Sequence, residues 1–337
     1  MGRINPAPRP TLPPGMGPRR RRPRRASRTR LLPTLLPALL LTACGAPSRQ
    51  AVEAPLPPAT GNRPGGGIRL LTTVPPLTQF SGAIAAGCGR VEPLVSGSRD
   101  VHDLRATPAD LARLRKARVL VINGLGLEPF VPAMLRAAAN PALKVIDSSD
   151  GVIPARHNGL ADPHIWLDPR RAQDQVRTIR DGLIAADPAC ASRYRTNASA
   201  LQDRLRALDR DLASQLAPWR GAILATPHAF ATSFADRYDL RTEAAVRTPE
   251  ERPTPEDLRR LMTRLRGPGP RALVVEPGGE SGSLEGVAQD LGLRPTSFDP
   301  MESGLTPTSG DQPEAPYAAT LRRNTRNLVE AFKASSR

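Results

Sequence analysis

Residues 191–216 read ASRYRTNASALQDRLRALDRDLASQL, a run without proline or glycine in which Leu201, Leu205, Leu208, Leu212 and Leu216 recur every three or four positions. That spacing lines one apolar stripe along a single long helix. On both sides of it, short aliphatic runs alternate with stretches of helical spacing. Before it, residues 68–73, 91–95, 118–122 and 144–147 read as buried strands. The intervening helices are 76–86, 108–116 and 129–139, each opening on a proline that the first helical turn accepts, and a helix over 171–186 closes this half. After it, 222–226, 240–246, 272–276 and 294–298 are strands, and 255–266 and 283–291 are helices. Alternation of this kind builds a mostly parallel sheet covered by helices. The expected fold is α/β: two similar lobes, each a mostly parallel sheet flanked by helices, joined by one long rigid helix. A helical backbone between lobes limits hinge bending, where a flexible linker permits wide closure.

The chain carries 48 Lys and Arg against 32 Asp and Glu, but ten of the arginines fall in residues 1–43, which hold no acid. The basicity is mostly a leader's. With 3% aromatic residues and charge dispersed through the remainder, the chain offers neither a stacking platform nor a phosphate-tracking stripe, and nucleic acid is excluded as a partner. Residues 19–30 are a basic block, and 31–43 (LLPTLLPALLLTA) are an apolar run. The run is shorter than the ~20 residues that span a bilayer and reads as a secretory signal. It ends in Leu41-Thr42-Ala43-Cys44, the lipobox pattern in which the Cys44 thiol takes a lipid and becomes the mature N-terminus. Ordinary cleavage beside a chance cysteine is the alternative. Met16 is a second candidate start beside Met1. Residues 44–67, rich in Pro and Gly, form a flexible tether. The organisation is then signal peptide 1–43, tether 44–67, N-terminal lobe 68–190, linking helix 191–217 and C-terminal lobe 218–337. Export places Cys88 and Cys190 in an oxidising compartment and reads them as a disulfide, with two buried thiols as the alternative.

The four histidines are His102, His157, His164 and His228. Three of them follow a strand or open the loop after one: His102 in SGSRDVHDLRATPADL, His164 in ADPHIWLDP, His228 in ILATPH; Asp299 in TSFDPMESG occupies a similar setting after the last strand. Ligands of open α/β sheets bind beyond the carboxyl ends of the strands, so these four converge on the cleft between lobes. Three imidazoles and a carboxylate make a tetrahedral set suited to zinc. Singly, each histidine reads as a capping or packing residue; the set carries the argument. His157, in the polar loop GVIPARHNGLAD, reads as a solvated loop residue or an outer ligand.

The stretches TTVPPL, DVHDLRATPADL, VLVINGLGLEPF, KVIDSSDG, ADPHIWLDP, IRDGLIAADP, ATPHAF, VVEPGG and FDPMESG resemble, in order, the metal-binding solute-binding proteins of bacterial ABC importers, the cluster A-I group that includes ZnuA-like proteins. The resemblance covers nearly all of residues 68–333. It implies metal ligation by His102, His164, His228 and Asp299, and Zn²⁺ as the transported ion, because manganese relatives tend to place Glu where His228 stands. It also implies an ABC permease with its cytoplasmic ATPase as partner, a lipid anchor facing the periplasm or cell exterior, a monomer, and binding in place of catalysis. Two departures stand out. Ala229 follows His228 where many relatives have Asp, putting a supporting carboxylate in doubt, and the His-rich loop of many zinc relatives shrinks to 150–163 with His157 alone. The rivals are a manganese or iron binder of the same family, a surface adhesin of the same fold, and an envelope-anchored zinc hydrolase using Glu276 or Asp103 as base. The last lacks an HExxH pairing, and four protein ligands would close its metal shell.

Overall fold

A computed structural model describes residues 67–94, 101, 104, 106–248, 251–267, 269, 271–277, 282–303 and 316–336. The signal segment, Cys44, all of the tether before Gly67, His102 and Asp103 lie outside these. The first half comprises β1 (Ile68–Thr72), α1 (Pro75–Ala85), β2 (Gly89–Pro93), α2 (Pro108–Lys116), β3 (Val119–Ile122), α3 (Val131–Ala138) and β4 (Lys144–Asp147). Its strands form one parallel sheet in the order β2-β1-β3-β4, with Leu70 opposite Val91 and Val119. Leu70, Leu71, Val119, Leu120 and Val121 are fully buried, as strands covered by helices on both faces require. A capping box starts α2: Thr107 Oγ1 accepts from the Asp110 N–H and Asp110 accepts from the Thr107 N–H.

A small antiparallel hairpin, β5 (Arg156–His157) and β6 (Leu160–Ala161), leads into α4 (Pro169–Ala186) and then α5 (Ala191–Leu216), whose limits coincide with those read from the leucine spacing. The second half comprises β7 (Ile223–Thr226), α6 (Thr232–Arg237), β8 (Arg241–Ala244), α7 (Pro255–Leu265), β9 (Arg271–Val275), α8 (Gly282–Leu291), β10 (Thr296–Ser297) and α9 (Pro316–Ser335). Its parallel sheet runs β10-β9-β7-β8. In each sheet the second strand lies on one side of the first, and the third and fourth lie on the other, so the two halves are wound alike. β10 pairs over only two residues where five were expected. Pro295, lacking an N–H, stands where the ladder would need a donor.

One buried apolar cluster runs through both sheets. It passes from Leu70, Phe80 and Val121 through Leu201, Leu208 and Leu216 of α5 to Leu224, Phe234, Phe298 and Phe332. Smaller clusters fill the far faces, around Leu120 and Met134 in one half and around Leu261 and Leu273 in the other. Hydrogen bonds cross between halves as well: Trp166 Nε1 donates to Pro300 O at 2.8 Å, Tyr317 N to Gln79 Oε1 at 2.7 Å, and Arg171 Nη2 to Asp236 Oδ2 at 2.6 Å. Arg237 of α6 grips Asp209 of α5 with two N–H groups, each at 2.7 Å. Cys88, just before β2, and Cys190, just before α5, are brought together with Cα atoms 6.2 Å apart. Among the described residues no helix is long and apolar enough to cross a membrane.

Candidate metal centre

The two described cleft histidines are delivered by the same local device. His164 and His228 each stand immediately before a short 3₁₀ turn, Ile165–Leu167 and Ala229–Ala231, and each is followed two residues later by an aromatic side chain packed on its ring. His164 meets Trp166 edge-on at 5.4 Å between centroids, and His228 meets Phe230 at 5.1 Å. The turn aims the imidazole past the strand ends and the aromatic wall fixes its plane. The two rings, one from each half, lie 5.9 Å apart.

Glu302 joins them. One donor atom each from His164, His228 and Glu302 lie within 4.8 Å of one another, and all three residues are buried. Zinc bonds of about 2.0–2.1 Å imply donor separations of about 3.3 Å, so a modest contraction around an ion would complete the geometry. Two nitrogens and one carboxylate oxygen suit a divalent d-block cation. His164 is held from behind by Asp162, whose Oδ1 accepts from the His164 backbone N–H at 3.0 Å and lies 2.7 Å from Nδ1. That contact leaves Nε2 facing Glu302. Burial alone would depress the His164 pKa, but the Glu302 and Asp162 carboxylates outweigh it and pull it up to about 10. The other oxygen of Asp162 accepts from the Ser233 N–H of α6 at 2.6 Å, so one carboxylate ties His164 to the second half. Behind His228, where Ala229 left a supporting carboxylate in doubt, Glu276 Oε1 stands 3.4 Å from Nδ1.

The floor of the first half is a buried polar knot. Glu128 accepts from Thr73 Oγ1 at 2.5 Å, Asn123 N at 2.6 Å and Gly124 N at 3.1 Å, and burial pushes its pKa up despite these donors. It joins the residues that follow β1 and β3. Gly124 has φ +85°, and a Cβ there would lie 2.1 Å from Asp147 Oδ1, so only glycine fits this bend.

Asp299, expected in the ligand set, is placed elsewhere: Oδ1 accepts from the Met301 N–H at 2.8 Å and Oδ2 pairs with Arg323 at 3.3 Å. Glu302, three residues on, stands with the histidines in its stead. In the sequence, nothing but its proximity to Asp299 in FDPMESG marks Glu302. His157 lines the mouth of the cleft that holds His164 and His228, a space of about 390 Å³ bordered also by Gly126, Leu160 and Arg247. His102 falls outside the described residues.

Known proteins resemble this chain in sequence and in fold. A putative metal-binding protein of Treponema pallidum is 28% identical over 227 residues, 62% of this chain and 72% of that protein. The iron-binding protein YfeA of Yersinia pestis is 28% identical over 151 residues, covering 44% of this chain. The match spans about half the length of YfeA (49%) and of the zinc-binding protein AdcA of Streptococcus pyogenes (56%). The crystal structure of a zinc-bound ZnuA deletion mutant superposes with a TM-score of 0.68 at 27% identity, over 79% of this chain and 98% of that one. The family described as zinc-uptake complex component A, periplasmic, matches residues 70–331, and the chain belongs to it, the ZnuA family of metal-binding solute-binding proteins of ABC importers.

Proposed function

We propose that this protein captures Zn²⁺ outside the cytoplasm, in the cleft between its two halves, and delivers it to the membrane permease of an ABC importer. The observation that carries the reading is the meeting of buried His164 and His228, one from each half, with a buried carboxylate. The resemblance of DVHDL makes His102, outside the described residues, the third imidazole of the set, and the segment after β10 supplies the carboxylate. A third imidazole favours zinc over manganese, whose harder ion prefers oxygen donors. Binding fills the site with cargo and displaces the protons its ligands held; no catalytic step is required. Relatives that bind iron, such as YfeA, make the identity of the ion the point to test. Elemental analysis of the purified mature chain should find one zinc per molecule, and chelator competition should rank zinc above manganese and iron. Tighter binding of either rival ion would replace zinc in this reading.

Export and anchoring follow from the leader. The mature chain begins at Cys44, carries a lipid there, and holds Cys88 and Cys190 as a disulfide; the protein acts as a monomer tethered to the envelope. Expressed in a bacterium, it should incorporate labelled palmitate and partition to membranes, and Cys44→Ala should abolish both. Unlabelled wild type in the soluble fraction would refute the anchor.

A further inference from the structure

We propose that Leu125 is the gate of the cleft: the turn Gly124-Leu125-Gly126 opens and recloses over the site, and the rate of that motion sets how fast the cargo ion enters and leaves. This rests on the reading that the cleft holds a divalent metal.

Leu125 and Gly126 line the cleft together with His164 and His228. The turn they form has a fixed base. Asn123, fully buried, donates through Nδ2 to Pro163 O at 2.8 Å and to Gly124 O at 3.2 Å, and its Oδ1 accepts from Gln175 Nε2 at 3.0 Å. Pro163 directly precedes His164, so the base is tied to the chain that carries that histidine. Glu128 holds the Asn123 and Gly124 N–H groups from the other end, and the Leu127 N–H donates to Gly124 O at 3.1 Å. The tip is different. Among the described residues no hydrogen bond reaches Leu125 or Gly126, and a Cβ on Gly126 would meet nothing within 4 Å. It is also strained: Leu125 has φ +54°, between Gly124 at +85° and Gly126 at +82°. Of these three left-handed residues only the leucine carries a Cβ that opposes the conformation. Such a residue persists where its surroundings over-determine it, and here they fix the base and leave the tip. A strained tip on a braced base has a relaxed alternative close in energy, and a swing at Leu125 and Gly126 uncovers the cleft without separating the halves. Leu125 offers no donor atom to an ion, so loaded and empty clefts bias the turn alike. Gating then changes uptake and release by one factor and leaves affinity alone.

The test uses the full exported chain with zinc alone as probe: uptake by stopped flow, release into excess chelator, and affinity by chelator competition. Gly126→Ala places a Cβ at a left-handed position without a clash and so destabilises the closed turn. Uptake and release should both quicken about 5–30-fold, the rate equivalent of ~1–2 kcal/mol. Leu125→Asn puts there the side chain more at ease in that region, and both rates should slow by at least ~2-fold. In both variants the dissociation constant should stay within ~3-fold of wild type. A residue with a merely structural role would not move two rates together, in opposite directions from adjacent positions, at constant affinity. Metal-free melting temperatures check folding, and Leu125→Asn carries the test if Gly126→Ala does not fold. Wild-type release from either folded variant, or a change of affinity with uptake unaltered, would overturn the gate. His164→Ala tests the underlying reading separately: it should weaken zinc strongly, and if it binds zinc like wild type, the cleft is not the metal site and the gate falls with it.

Discussion

Asp162 divides its two oxygens between the halves, one on His164 and one on the Ser233 N–H. Asparagine cannot serve both donors, because its amide nitrogen would confront one of them. Asp162→Asn should therefore weaken zinc about 10–100-fold, the usual cost of losing a partner behind a metal-ligating histidine; wild-type affinity in chelator competition would remove Asp162 from that role. Asp168 bears on pH. Burial raises its pKa from 3.8 to about 6, against the opposing pull of the Arg170 N–H and of Arg171. Folding thus takes up a proton between pH 4 and 6, and stability from this group falls as pH rises through that window. Relative to Asp168→Asn, which keeps an acceptor for the Arg170 N–H and does not titrate, wild type should lose about 2 kcal/mol from pH 4 to 6, out of about 3 kcal/mol in all as pH rises from below 3 to above 7. Urea unfolding of both proteins across that range measures the difference, and parallel pH curves would refute it. At this scale the histidines were legible because four in a whole chain, three of them beyond strand ends, form a visible pattern. Glu302 was not, since it follows Met301, a left-handed residue at φ +62° that no side chain announces.

The elements divide by length. α5 could be read to its last residue because it runs without proline or glycine and its leucines keep their period over about four turns, from Leu201 to Leu216, and α2 because a proline marks its start. α6, six residues long, is too short to show a period, and β5 and β6 pair over two residues each. α9 went unread although Tyr317, Leu321, Leu328 and Phe332 share a buried face. The Cys88–Cys190 pair belongs to this scale, for it brings the turn before β2 to the residue just before α5 across a sequence separation of 102. A closed loop of that length restricts the unfolded chain by up to about 4–5 kcal/mol. Replacing both cysteines by alanine should lower the melting temperature of oxidised protein and leave it insensitive to reductant. An unchanged melting temperature, or two titratable thiols in the exported wild type, would show that no bond forms.

Across the whole molecule, like winding of the two sheets was legible as strand–helix alternation, while the fusion of their interiors was not. Periodicity shows which side chains are buried, not whose neighbours they become. The shared cluster from Leu70 to Phe332 predicts one cooperative unfolding transition for residues 67–337 in calorimetry, with zinc raising its midpoint as a unit. Two resolved transitions, only one of them moved by zinc, would mean that the halves fold separately. The α5 spine and this common interior also bear on how cargo is recognised. Halves that share their packing resist swinging apart as rigid bodies, which leaves the cleft mouth beside His157, Leu160 and Arg247 as the way to His164 and His228. On the proposed reading, a permease would meet loaded and empty molecules of nearly one outline, and it would have to tell them apart at the cleft mouth and not from the angle between halves.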